Sequence, residues 1–188
     1  METIKGLKRT NYCGELRIED AGKEVTLFGW CQRQRDLGNL IFIDLRDRTG
    51  LVQLSFNDTT DREVFAKAQS VRAEYVVAAV GTVCERESKT NKIATGDIEI
   101  NVKEFRIISK AETPPFEIAK SEKVGDETTL KYRYLNLRNE KLTQNILMRH
   151  KIAKIAREYF YDNDFIEIET PMMIKSTPEG ARDYVVPS

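Results

Sequence analysis

The stretch that decides the fold is LIFIDLRDRTGLVQLSF, residues 40–56 of a chain of 188 residues. Apolar and polar side chains alternate on both sides of a DRTG sequence at 47–50, which is typical of a tight turn. Centring the turn on Arg48 and Thr49 gives three apolar cross-strand pairs: Leu45 with Val52, Ile43 with Leu54, and Ile41 with Phe56. The pattern therefore predicts an antiparallel hairpin whose apolar side faces the core.

Other short β-rich runs lie on both sides of this hairpin. With it they give five predicted strands, at 24–32, 40–46, 51–56, 74–83 and 97–107. One amphipathic helix is predicted at about 61–71, because apolar residues recur at helical spacing and Thr60 and Glu63 have the spacing of a capping box. Three strands, a helix and two more strands are typical of an OB-type barrel, so we predict a mainly β fold.

The chain changes character after this region. A Pro pair at 114–115 favours extended backbone and cannot continue a strand ladder. A long helix is predicted from about Asn139 to Asp162, followed by a strand containing Phe165, Ile166 and Ile168. We therefore predict three parts: a barrel domain at 1–109, a linker or hinge at 110–138, and the start of a second domain at 139–188.

Composition limits the possible functions. Lys plus Arg and Asp plus Glu each number 30, so the formal net charge is zero and any nucleic-acid site must be local. Three cysteines without a C-x-x-C pair and a single histidine predict no metal site. Without a signal-peptide pattern or an apolar run of about 20 residues, the sequence favours a cytoplasmic globular protein that has no membrane partner.

The hairpin carries an aromatic ring on its polar side, which is expected to face solvent and consists of Phe42, Asp44, Arg46, Gln53 and Ser55. The strand of Phe42 already supplies three apolar residues to the core, so the ring is free to stack on a base, an interaction that contributes ~1–3 kcal/mol. Gln53, diagonal to Phe42, offers an amide to a base edge. Glu99 is expected on the polar side of the last strand, where its carboxylate can accept hydrogen bonds from a base.

Basic side chains near this face are possible phosphate contacts: Arg33 and Arg35 beyond the first strand, Arg46 and Arg48 at the hairpin, and Arg86, Lys89 and Lys92 in the fourth loop. The same residues also fit a second interpretation, in which a loop covers the ring and the charges form a solvated, ion-paired face. OB barrels bind single-stranded DNA, oligosaccharides and proteins as well as RNA. The residues alone therefore leave the ligand open.

Several ordered strings resemble one family. YCGELR at 12–17, GWCQRQRDLG at 29–38 and LIFIDLRDR at 40–48 closely resemble the anticodon-binding domain of bacterial aspartyl-tRNA synthetases. KYRYLNLR at 131–138 looks like the hinge of that family, and ETPM at 169–172 with STPEGARDY at 176–184 looks like the beginning of its catalytic domain. This resemblance implies that 139–188 contain the first helix and strand of a class II α+β catalytic domain.

The resemblance also implies roles for individual residues. It places anticodon contacts on Arg35, Phe42, Gln53 and Glu99, with Arg33 and Arg86 as further RNA contacts, and Phe42 would stack on the central anticodon base. Glu179, in a segment similar to the flipping loop, would bind the ammonium group of L-aspartate. Phe165 and Pro171 would lie in the homodimer interface. Leu37 matches members that charge only the aspartate tRNA.

The implied parent enzyme activates L-aspartate with ATP, assisted by Mg²⁺, and transfers the aspartyl group to its tRNA. Its motif 2 and motif 3 residues would lie beyond Ser188, so we expect an N-terminal fragment that has no catalytic residue, binds no cofactor and does not aminoacylate by itself. Two alternatives remain: a stand-alone single-stranded nucleic-acid-binding module, and an asparaginyl or lysyl relative with a similar barrel. Downstream sequence with motifs 2 and 3 would distinguish the synthetase from the stand-alone module.

Overall fold

The computed structural model describes residues 2–173. The chain divides into two compact units, Met1–Glu117 and Ile118–Ser188. The boundary between them falls inside the region predicted as a linker. Each unit has its own secondary structure.

The first unit is a closed five-stranded barrel. The strands are β1 Glu24–Asp36, β2 Ile41–Arg46, β3 Leu51–Phe56, β4 Val76–Glu85 and β5 Ile98–Ser109. Around the barrel they follow the order β1-β2-β3-β5-β4, and all neighbours are antiparallel except β3 and β5, which pair in parallel. One helix, α1, interrupts the strands at Arg62–Ser70. The predicted mainly β barrel with one short helix is confirmed.

The β2–β3 hairpin has the predicted register. Leu45 lies opposite Val52, Ile43 opposite Leu54 and Ile41 opposite Phe56, and all six side chains are fully buried. The Asp47 N–H donates to the Gly50 carbonyl at 3.0 Å to close the turn. Gly50 adopts φ 150°, a conformation that side chains with a Cβ rarely take, so glycine suits this position.

The first strand is longer than predicted. It continues past Gln32 to Asp36, because a bulge between Cys31 and Arg33 shifts its register and lets it pair with β2 to its end. Arg33 and Arg35 therefore lie on β1, not beyond it. Gly29 is not the bulged residue; a Cβ there would collide with the Arg46 carbonyl, so glycine permits the close approach of β1 and β2.

The predicted capping box of the helix is wrong. α1 begins one residue later, so Asp61 is its N-cap and its carboxylate accepts hydrogen bonds from Glu63 N at 2.8 Å and Val64 N at 3.3 Å. The Thr60 hydroxyl accepts from Asn57 N at 3.0 Å in the preceding turn instead.

A buried ion pair links β2 to Glu74, which lies two residues before β4. Arg46 and Glu74 are 2.8 Å apart, with side chains only 15% and 7% exposed. Glu74 has a left-handed backbone, φ 65°, and its N–H donates to the Cys31 carbonyl at 2.7 Å. The pair therefore joins the bulged part of β1, the end of β2 and the start of β4.

Two of the cysteines belong to the barrel core. Cys13 and Cys31 are fully buried, and no disulfide joins them. Burial, together with the nearby carboxylates of Asp44 and Glu74, raises the pKa of the Cys31 thiol to about 12. Both thiols pack as small apolar groups.

The carboxylate of Asp47 fastens the segment before β1 to the hairpin turn. It accepts hydrogen bonds from Cys13 N at 2.7 Å, Thr49 N at 2.8 Å and Thr49 Oγ1 at 2.7 Å. Burial raises the pKa of this carboxyl, but the hydrogen bonds from Cys13 and Thr49 outweigh burial and leave the pKa below its ordinary value.

We expect Asp47→Ala to lower the free energy of unfolding by about 1–3 kcal/mol at pH 7, because Cys13 N loses its acceptor. A carboxyl whose pKa is lowered by folding stabilises the protein above its unfolded pKa of about 3.9 and loses that effect as the pH falls through the folded value. Urea unfolding at pH 7 and at about pH 2 measures this, and the difference between wild type and variant should shrink at the lower pH. Asp58→Ala, at an exposed carboxylate of the next turn, is the control. A pH-independent difference would contradict the assignment.

The second unit is helical where it is described. A 3-10 segment at Ile118–Lys123 precedes α2 Asp126–Lys131, α3 Arg133–Asn136 and α4 Glu140–Asp162. The long predicted helix is thus present, and Asn139 caps it by accepting from Lys141 N at 3.0 Å. The predicted strand at 165–168 is wrong, because no strand among residues 2–173 pairs with it. No helix in this described part is both long and apolar enough to span a membrane.

Candidate nucleic-acid interface

The strand registers align two rows of side chains across the outer face of the barrel. Residues directly opposite each other on paired strands point to the same face of a sheet. The first row is Arg33, Asp44, Gln53, Glu99 and Cys84, and the second is Arg35, Phe42, Ser55, Asn101 and Thr82. Five predicted site residues therefore share one face, which we call the outer face.

Gln53 is the centre of a hydrogen-bond network on this face. Its Oε1 accepts from Arg35 Nη2 at 2.9 Å and from Arg86 Nη2 at 2.7 Å. Its Nε2 donates to Glu99 Oε2 at 2.7 Å. Arg35 Nη2 also donates to Asp44 Oδ1 at 3.1 Å. Four of the six predicted RNA contacts thus form one connected group.

The polar side of β3 is not solvated, contrary to the prediction. Gln53 is 4% exposed and Ser55 is 3% exposed. β5 pairs with β3 and brings Glu99 beside Gln53, and two arginine side chains bond to its amide. The Ser55 hydroxyl donates to the Ile100 carbonyl at 3.3 Å. Both lone pairs of Gln53 Oε1 are used, so Gln53 holds its charged neighbours in position.

The Phe42 ring lies under a guanidinium group. The Arg35 Cζ is 5.3 Å from the ring centroid, which is within the range of a cation–π contact. Phe42 is half-buried and is not part of the barrel core. Aromatic rings and guanidinium planes are the two surfaces on which proteins stack unpaired bases, and here they adjoin.

Arg35 also carries an unsatisfied donor. Its Nε is buried and has no hydrogen-bond partner among the described residues. A buried donor without a partner costs about 1–3 kcal/mol. A ligand that draws the guanidinium into a new position would recover part of that cost.

The other predicted basic contacts differ in availability. Arg33 is exposed on β1, and no carboxylate of the described residues pairs with it. Lys89 pairs with Glu85. Arg46 is not available for phosphate, because it is committed to the buried pair with Glu74.

The remaining predicted site residues belong to the second unit. Glu179 lies outside the described residues. Phe165 is 63% exposed and Pro171 is also exposed.

Sequence reasoning missed two groups that shape this face. Glu74, the partner of Arg46, is distant in sequence and was expected inside a strand. Arg9 and Tyr12 precede the first strand, and no periodic pattern shows where that segment folds. One signal in the sequence points toward Arg9 and Tyr12. Phe28 and Trp30 alternate with core residues of β1, which places them on the outer side of the barrel and would have extended the predicted face.

Two families match successive parts of the chain. Residues 25–108 match the family described as "OB-fold nucleic acid binding domain". Residues 125–188 match the family "tRNA synthetases class II (D, K and N)". The outer face of the barrel brings the Phe42 ring together with charged hydrogen-bonding groups, and the second match follows this domain in the chain. Together they define the class: a class II tRNA synthetase with an OB-fold domain.

Relatives specify the family within that class. The chain is 54% identical over its whole length to "Aspartate--tRNA ligase" of Ruminiclostridium cellulolyticum. It is also 54% identical over its whole length to "Aspartate--tRNA(Asp/Asn) ligase" of Caldanaerobacter subterraneus subsp. tengcongensis. The chain belongs to the aspartate–tRNA ligase family. It spans about a third, 32%, of the length of these relatives.

Solved structures of asparaginyl and aspartyl synthetases also match the chain, which agrees with the class. Asparaginyl-tRNA synthetase from Pyrococcus horikoshii, complexed with asparaginyl-adenylate, matches 93% of this chain and 39% of its own, with a TM-score of 0.79 and 28% identity. Aspartyl tRNA synthetase from Entamoeba histolytica matches 89% of this chain and 40% of its own, with a TM-score of 0.79 and 27% identity.

Proposed function

We propose that the outer face of the barrel recognises the anticodon loop of the aspartate tRNA for an aspartate–tRNA ligase. The observation that carries the proposal is the convergence of Arg35, Arg86 and Glu99 on Gln53, directly beside the Phe42 ring. The ring stacks on the central anticodon base, and the charged groups meet the edges of its neighbours. Arg33, exposed at the end of the first row, contacts the RNA backbone.

The charge of the network favours base reading over phosphate binding. Glu99 and Asp44 place two carboxylates on the face, and these repel phosphate but accept hydrogen bonds from base amino and imino groups. Arg35 and Arg86 are held at fixed positions by Gln53, so they donate in defined directions. A face built this way distinguishes bases by their hydrogen-bonding groups.

In the proposal, the three parts of the chain have different roles. Residues 1–109 bind the anticodon, 110–138 form the hinge, and 139–188 begin the catalytic domain. There Glu179 holds the ammonium group of L-aspartate. Exposed Phe165 and Pro171 lie where a second copy of the enzyme covers them in a homodimer.

The complete enzyme, which we place in the cytoplasm, activates L-aspartate with ATP and transfers the aspartyl group to its tRNA. Mg²⁺ would stabilise charge on the phosphates during activation. No group of three or more His, Cys, Asp or Glu side chains among residues 2–173 could hold a metal ion, so we assign no Mg²⁺ ligand to them.

The test is a titration of the full chain with the anticodon stem–loop of the aspartate tRNA and with variants that each carry one changed anticodon base. We expect each change to weaken binding by about 1–3 kcal/mol, because a mismatched base leaves polar groups of the network unpaired. The asparagine stem–loop tests whether the face accepts both tRNAs. Equal affinity for every loop would contradict the proposal and would favour a stand-alone binder of single strands without base preference.

A further inference from the structure

A second aromatic and basic cluster lies near the hairpin turn. The Arg9 Cζ is 4.6 Å from the Tyr12 ring centroid and 5.5 Å from that of Phe28, and the Arg48 Cζ is 4.4 Å from the same Tyr12 ring. Arg9 Nη2 also donates to the Phe28 carbonyl at 3.2 Å. We call Arg9, Tyr12, Phe28 and Arg48 the Tyr12 cluster.

The cluster continues the outer face. Alternate residues of a strand point to the same side, so Phe42, Asp44 and Arg46 lead along β2 toward the turn that carries Arg48. Trp30 lies opposite Arg46, and Phe28 is the next outward residue of β1. At about 3.3 Å per residue, the six residues from Phe42 to Arg48 span at most about 20 Å.

Neither guanidinium group has a carboxylate partner in the described part of the chain. Within residues 2–173, no carboxylate forms an ion pair with Arg9 or Arg48, whereas Arg35 and Arg46 are each paired. Two carboxylates of the adjoining segments accept hydrogen bonds from the backbone: Asp47 from Cys13 N at 2.7 Å, and Glu15 from Tyr12 N at 3.3 Å. Two exposed cations on one ring repel each other, so an anion between them is stabilised.

We propose that Arg9 and Arg48 bind backbone phosphates of the same RNA whose base stacks on Phe42. The inference rests on the proposed function, because it takes RNA as the ligand of the outer face. Guanidinium groups bind phosphate through paired N–H donors, and the Tyr12 ring holds both groups in place. The base-reading network at one end of the face selects the RNA, and the Tyr12 cluster at the other end adds affinity that does not depend on sequence.

The test compares Arg48→Gln with wild type in binding the anticodon stem–loop across a salt series. Each phosphate contact contributes about 0.7–0.9 to the slope of log affinity against log salt. Wild type loses affinity as the salt concentration rises from about 50 to 200 mM, and the variant, with one contact fewer, should lose about threefold less. The same reduction is expected for loops with changed anticodons. Arg48→Lys should keep most of the slope.

Two controls make the outcome decisive. Arg62→Gln removes another exposed arginine, which no described carboxylate pairs with, and should leave the slope unchanged. Phe42→Ala reports on the proposed function separately. An unchanged slope in Arg48→Gln, while Phe42→Ala weakens binding, overturns the phosphate site and leaves anticodon recognition standing. If neither variant weakens binding, the proposed function fails together with the inference.

Discussion

Phe42→Ala is expected to weaken binding of the anticodon stem–loop by about 1–3 kcal/mol and to leave the barrel folded. The ring lies on the outer face, while Ile41, Ile43 and Leu45 supply the core contacts of its strand. Removing it therefore removes a stacking surface and no core packing. Equilibrium titration of the full chain with labelled RNA measures the loss.

Phe42→Tyr is the matched control, because it keeps the ring and should retain most of the affinity. Thermal unfolding of all three proteins checks that the barrel is intact. Unchanged affinity in a folded Phe42→Ala protein would remove the ring from the interface.

Glu74→Ala is expected to lower the free energy of unfolding by about 3–5 kcal/mol, the largest effect of any change considered. The variant leaves Arg46 charged and only 15% exposed, without its carboxylate partner. Alanine, like glutamate, carries a Cβ, so the substitution does not reduce the strain of the left-handed backbone at φ 65°. Urea unfolding at neutral pH gives the value.

Two comparisons separate ion-pair loss from local repacking. Glu24→Ala breaks the exposed pair with Lys103, whose side chains are 59% and 62% exposed, and should cost at most about 1 kcal/mol. The double variant Arg46→Met with Glu74→Ala should be more stable than Glu74→Ala alone, because it removes the unpaired charge. A double variant no more stable than Glu74→Ala would contradict this account.

Local pattern was sufficient for the hairpin. Alternation and a four-residue turn determine which side of β2 and β3 faces the core, so the register was correct to the residue. The length of β1 was not predictable in this way. Its pattern ends at Gln32, and its last four residues remain a strand only because β2 lies beside them beyond the bulge.

The members of the outer face were predictable, but their contacts were not. Strand parity places Phe42, Gln53 and Glu99 on one side, yet the burial of Gln53 depends on side chains from β1, β5 and the loop after β4. The Tyr12 cluster shows the same limit, since Arg9 meets Phe28 through tertiary folding of a segment without periodicity. The sequence could not show which distant residues each charged side chain contacts.

The most direct test of the central claim is a thermodynamic cycle between the protein and the RNA. Affinities are measured for wild type and Phe42→Ala, each with the aspartate anticodon stem–loop and with the same loop lacking its central anticodon base. If the ring stacks on that base, Phe42→Ala costs about 1–3 kcal/mol with the intact loop and close to nothing with the abasic one. An equal cost with both loops would contradict the claim that Phe42 binds the central anticodon base.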